Sequence, residues 1–94
     1  MLAPLAPGEI AKRLPALPGW QLKGKTIEKH FRFGDFKQAI AFVNRVADLA
    51  EAKDHHPDIF IHYRDVTLVL WTHVAGGVTE RDLGLAAELL QLEG

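Results

Sequence analysis

The sequence predicts an α+β fold of two layers, a four-stranded antiparallel sheet with helices on one face, in the order α-β-β-α-β-β-α. Three observations carry this. Residues 19–33 and 58–73 alternate apolar and polar side chains around short turn signals, the mark of hairpins. Residues 7–17, 35–53 and 79–90 instead repeat apolar side chains at helical spacing. The chain has 94 residues, 48% hydrophobic and 24% charged, which suits a single domain over 1–94 with a modest core.

Pro7-Gly8-Glu9 opens the first helix, where proline is tolerated because its missing N–H would have no partner. Ile10, Leu14 and Leu17 form its apolar stripe, and Pro15 and Pro18 keep it short. Gly19-Trp20-Gln21-Leu22 begins a strand and Lys23-Gly24-Lys25 turns. The return strand puts Ile27, Phe31 and Phe33 on one face, and Thr26, Glu28, His30 and Arg32 on the other. Asp35, with Gln38 three residues on, has the pattern of a capping box, and the helix runs to about residue 53. Phe36, Ile40, Val43, Ala47 and Ala50 are expected to face the core. Phe42, Val46 and Leu49 form a second strip, available to a partner.

Two strands follow, 58–63 and 66–73, around an Arg64-Asp65 turn. That register sets His56 opposite His73, Asp58 opposite Trp71, Phe60 opposite Val69, and His62 opposite Thr67. Phe60, Val69 and Trp71 then lie on the face the helices leave open, as a partner surface or ligand floor. Ile59, Ile61 and Tyr63 are expected to face the core with Val66, Leu68 and Leu70. Thr79 caps the last helix, with Asp82 at the capping-box position and Leu83, Ala86, Leu89 and Leu90 buried.

Composition excludes several classes of function. Net charge is −1 with no block of Lys or Arg, which argues against nucleic acid as a partner. The absence of cysteine rules out disulfides and thiolate metal sites. Residues 1–7 are apolar but short, and are not read as a signal peptide. No run reaches the ~20 apolar residues of a membrane span. A cytoplasmic protein without membrane contact is the expectation.

The chemistry concentrates in one pattern: Glu51, three residues, His55-His56-Pro57, five residues, Tyr63, nine residues, His73, eight residues, Asp82. Imidazoles both give and take protons near neutral pH, and the carboxylates can bind or orient. Each residue also has a plainer role. Asp82 serves as a helix cap, Glu51 as a solvated helix residue, Pro57 as a helix stop and Tyr63 as core. His30 and His62 fall outside the pattern and are read as structural. It is the joint spacing that points to a site.

That spacing closely resembles the signature of the pterin-4a-carbinolamine dehydratases. Gly19-Trp20, Phe31 and Phe33, Asp35-Phe36, Thr72-His73, Gly77, Thr79, Arg81-Asp82 and Leu85-Ala86 extend the resemblance from about residue 5 to 90. It implies the same fold. It also implies elimination of water from a 4a-hydroxytetrahydropterin to give a quinonoid dihydropterin, in tetrahydrobiopterin or other pterin recycling, with no cofactor and no metal. By the resemblance His55 and His73 look like the acid/base pair, with His56 in the catalytic set as an orienting residue. Glu51, Asp54, Trp71, Thr72 and Asp82 match substrate-binding positions. Trp71 departs from the small polar residue common there, and Ile59 from a common aromatic. The resemblance implies a homodimer or homotetramer. Two other readings stand beside the enzyme: a non-enzymatic dimerisation or coactivator-type module of the same fold, and a zinc-binding protein built on the three histidines.

Overall fold

The computed structural model describes residues 3–93. Helix α1 (Pro7–Arg13) runs into a 3₁₀ turn (Leu14–Ala16). Strands β1 (Gln21–Lys23) and β2 (Thr26–Arg32) form the first hairpin, and α2 (Phe36–Lys53) follows. Strands β3 (Asp58–His62) and β4 (Asp65–Leu70) form the second hairpin, and α3 (Glu80–Glu93) follows. The strands make one sheet in the order β1-β2-β4-β3, every neighbour antiparallel. This is the expected α+β architecture, with the two hairpins joined through β2 and β4.

The core lies between sheet and helices. Ile27 and Phe31 from β2, and Val66, Leu68 and Leu70 from β4, meet Ala39, Phe42 and Val46 from α2 and Leu83, Leu85, Ala86 and Leu89 from α3. The capping of α2 is as expected on one side: Asp35 Oδ1 accepts from the Gln38 N–H at 2.8 Å. Gln38 reaches back to the Gly34 N–H rather than to Asp35, at 3.0 Å. At the far end, Arg13 donates both guanidinium N–H groups to the Glu80 carboxylate at 2.8 Å, tying α1 to the start of α3. Those hydrogen bonds hold the Glu80 carboxyl below its ordinary range. The pair therefore favours the folded chain at neutral pH, and that small surface contribution is lost as acid titrates the carboxylate.

Helix α2 is rotated from the expected setting. Phe42 is 0% exposed, its ring 4.8 Å from Phe31 and 4.9 Å from Phe33 between centroids. Val46, Ala39 and Ala50 are buried beside it, whereas Phe36 is 49% exposed and Ala47 is exposed. Ile40 and Val43 are half-buried. Both strips are apolar, so periodicity alone does not choose between them. The choice falls to fit: the large Phe42 ring meets Phe31 of β2 and Phe33 just beyond it, and alanines on either side let the helix sit close to the sheet.

The second hairpin also differs. Its loop is Tyr63-Arg64, so His62 pairs with Asp65, Phe60 with Thr67 and Asp58 with Val69. His56 and His73 lie outside the ladder and do not face each other across it. Asp65 is drawn into β4 by β2, accepting from His30 Nε2 at 2.9 Å with Arg32 Nε 3.8 Å away. Tyr63 takes the turn with φ 54° and is 59% exposed, not core. Moving the turn by one residue shifts each pair by two in sum, so every side chain keeps its face. Val66, Leu68 and Leu70 therefore stay buried and Phe60 stays on the open face. Ile61, expected in the core, is exposed, because β3 is an edge strand beyond the reach of the helices. Trp71 and His73 are not on β4, which ends at Leu70.

Candidate active site

The site begins where α2 stops. The Asp54 N–H donates to the Ala50 and Glu51 carbonyls and the His55 N–H to Ala50 O at 3.1 Å, with Asp54 left-handed at φ 49°. This is the Schellman arrangement, with an aspartate where glycine is preferred. It ends the helix at Lys53, four residues before Pro57, so proline is not the stop. The reversal sends His55 inward and leaves His56 at the surface. Arg81 secures it from α3, donating from Nη2 to Asp54 O at 2.7 Å. In the sequence Arg81 stands only within a motif; no local spacing signals a contact to the carbonyl that follows another helix.

Beneath His55 lies a closed polar network. Asp82 is 0% exposed and His55 8%. His55 Nε2 is 2.5 Å from Asp82 Oδ1. Asp82 Oδ2 accepts from Thr72 Oγ1 and from the Thr79 N–H, each at 2.8 Å. Since the Thr72 hydroxyl proton goes to Asp82, the Thr79 hydroxyl donates to Thr72 Oγ1, also at 2.8 Å. The Arg81 N–H completes the chain, donating to Thr79 Oγ1 at 3.2 Å. Asp82 thus caps α3 and holds His55 with the same carboxylate. With Asp82 as a carboxylate, which only accepts, Nε2 of His55 would carry the hydrogen and Nδ1 would be the nitrogen left to accept a proton.

The other two histidines are arranged differently. His56 Nε2 is 2.5 Å from Glu51 Oε2, one helical turn back, and both side chains are exposed. His73 opens a 3₁₀ turn (His73–Ala75) behind Thr72, whose N–H donates to Gly77 O at 2.9 Å. That loop closes tightly: a Cβ on Gly77 would lie 2.9 Å from Pro4 Cβ. The exposed His73 ring has no hydrogen-bond partner among the described residues, but lies against Trp71 with centroids 3.9 Å apart.

Asp54, His55, His56, Trp71, Thr72 and His73 all line one open cleft of about 400 Å³, together with Arg81 and Val74. Glu51 reaches it only through His56, and Asp82 lies under its floor. Among the described residues no three His, Asp or Glu side chains are grouped to hold a metal ion. What the cleft can do is proton transfer: three imidazoles around one space, two of them fixed by carboxylates.

The profile of the family described as pterin 4 alpha carbinolamine dehydratase matches residues 3–92. A Thermomicrobium roseum protein provisionally named pterin-4-alpha-carbinolamine dehydratase is 50% identical over 91 residues, covering 97% of this chain and 98% of its own. A solved Brucella melitensis protein described as a transcriptional coactivator/pterin dehydratase superposes with TM-score 0.90 at 39% identity, covering 97% and 99% of the two chains. A pterin dehydratase-like protein identified as a RuBisCO assembly factor in the alpha-carboxysome superposes with TM-score 0.66 at 29% identity, covering 80% and 87%. No helix of the described residues is long and apolar enough to cross a membrane.

Proposed function

Because the chain belongs to the pterin-4a-carbinolamine dehydratase family, we propose that it removes water from a 4a-hydroxytetrahydropterin by histidine acid/base catalysis. The observation that carries this is His55, buried, hydrogen-bonded through Nε2 to a fully buried carboxylate, and lining a cleft shared with His73. In this reading His55 Nδ1 takes the N5 proton, and the N5–H pair becomes the C4a=N5 double bond. His73, protonated, gives a proton to the 4a-hydroxyl as the C4a–O bond breaks, and water leaves. Charge forming on His55 meets the Asp82 carboxylate. The two imidazoles then return to their starting states by exchange with solvent. His56, fixed by Glu51, orients the substrate, and Asp54 and Thr72 shape the cleft for the pterin, where a carboxylate suits its amino-pyrimidinone edge. Asp82 acts through His55, since it has no surface to offer a substrate. The test is turnover of a 4a-hydroxytetrahydropterin above its spontaneous dehydration. No acceleration by folded protein contradicts the reading.

Asp82→Asn gives a sharper check of the tautomer argument. An amide cannot accept on both sides as the carboxylate does, so His55 or Thr72 loses its acceptor. The expected result is a fall of about 10²-fold in kcat with KM little changed, the value of one well-oriented acid/base group. A raised KM at unchanged kcat would assign Asp82 to binding.

The chain is also expected to associate, as a homodimer or homotetramer. The edge strand β3 exposes Phe60, Ile61 and the adjoining Tyr63, and α2 exposes Phe36 beside half-buried Ile40 and Val43. Unpaired edges and apolar strips favour partners. The same surfaces support the second reading, a protein-interaction module. Light scattering at micromolar concentration should give a multiple of 10.5 kDa, and a strict monomer would contradict association.

A further inference from the structure

Each of two site histidines is held by a carboxylate: His55 by Asp82 and His56 by Glu51. The His73 ring has no polar partner among the described residues, yet an acid aimed at a leaving hydroxyl must hold one orientation. Its backbone is fixed, because Thr72 bridges Gly77 and the His73 carbonyl accepts from the Gly76 N–H at 3.1 Å. Its side chain is exposed and keeps its rotamer freedom unless something packs on it. Among the described residues the one ring against it is Trp71, at 3.9 Å between centroids with the planes tilted by 37°. Trp71 is itself half-buried, so it offers a fixed surface.

We propose that Trp71 is the positioning residue of His73, an indole doing for the third histidine what carboxylates do for the other two. This rests on the acid role given to His73 above. An indole face also attracts an imidazolium, so the stack suits the protonated form that donates. Because the rings touch each other, the pterin is not sandwiched between them, and Trp71 acts on kcat through His73 more than on substrate affinity.

The test compares wild type with Trp71→Ser and Trp71→Phe. Trp71→Ser should lower kcat by about 10-fold with KM within about 2-fold, and Trp71→Phe, which keeps a flat ring, should recover most of kcat. In aromatic NMR spectra the His73 ring protons should be shifted upfield by the indole in wild type, released in Trp71→Ser and partly shifted in Trp71→Phe. A KM rise at unchanged kcat in Trp71→Ser, or His73 ring protons at unshifted positions in wild type, overturns the proposal. Should Trp71→Ser fail to fold, the wild-type spectrum and Trp71→Phe still decide it. Absence of pterin turnover in wild type would count against the dehydratase reading, whereas the ring shift reports on the stack by itself.

Discussion

Replacing either His55 or His73 with alanine is expected to lower kcat by at least about 10²-fold, since each change would remove one acid/base group of the proposed elimination. The two variants should differ in stability. The His73 side chain is exposed and makes no hydrogen bond among the described residues, so its loss should change the melting temperature little. His55 is buried on Asp82, and its removal leaves a buried carboxylate oxygen without its partner. That penalty is of order 1–3 kcal/mol, more if the charge is not rehydrated through the vacated space. Steady-state kinetics paired with thermal melts separate the two effects. Normal melting of His73→Ala with kcat within about 3-fold of wild type would remove His73 from the chemistry.

Phe42→Ala is expected to cost about 3–5 kcal/mol of stability, the range for deleting a fully buried phenylalanine and leaving a cavity. Its ring touches both Phe31 and Phe33, so α2 loses its central contact with β2. A small domain has roughly 5–15 kcal/mol in all, so this variant should unfold at markedly lower denaturant. Phe36→Ala, on the exposed strip of the same helix, should leave the fold of one chain intact and instead weaken association. If Phe36→Ala proved the more destabilising at concentrations where the chain is monomeric, the setting of α2 would be wrong.

The contrast between Phe42 and Phe36 marks where sequence reasoning stops. The helix itself was legible: Asp35 starts it, and the predicted end at 53 is the observed one. Its rotation was not, because two apolar strips satisfy the same period and only shape against β2 distinguishes them. The second hairpin follows the same pattern. Alternation identified the faces of Val66, Leu68 and Leu70 correctly, but a tyrosine with positive φ carries no turn signal. The register slid by one position of the turn as a result.

At the site, spacing drew attention to Glu51, His55, His56, His73 and Asp82, and the fold gathers them at the end of α2, the loop after β4 and the start of α3. The route differs from the one expected. His56 and His73 do not pair across a ladder; a left-handed Asp54, a Thr72–Gly77 bridge and the first turn of α3 bring the groups in. The contacts that then join these segments, His55 to Asp82 and Arg81 to Asp54 O, each span 27 residues of sequence, so no local pattern reports them. The sequence offers Asp82 two alternatives, a helix cap or a site carboxylate, and carries no sign that its partner is His55. One carboxylate with two oxygens does both.

The central claim is tested most directly by a doubly substituted protein. His55→Ala/His73→Ala, shown to be folded by circular dichroism, is to be assayed with a 4a-hydroxytetrahydropterin beside wild type and the uncatalysed reaction. The expected result is clear acceleration by wild type and a rate for the double variant close to the spontaneous one. Near-wild-type turnover by the folded double variant would contradict histidine catalysis in this cleft.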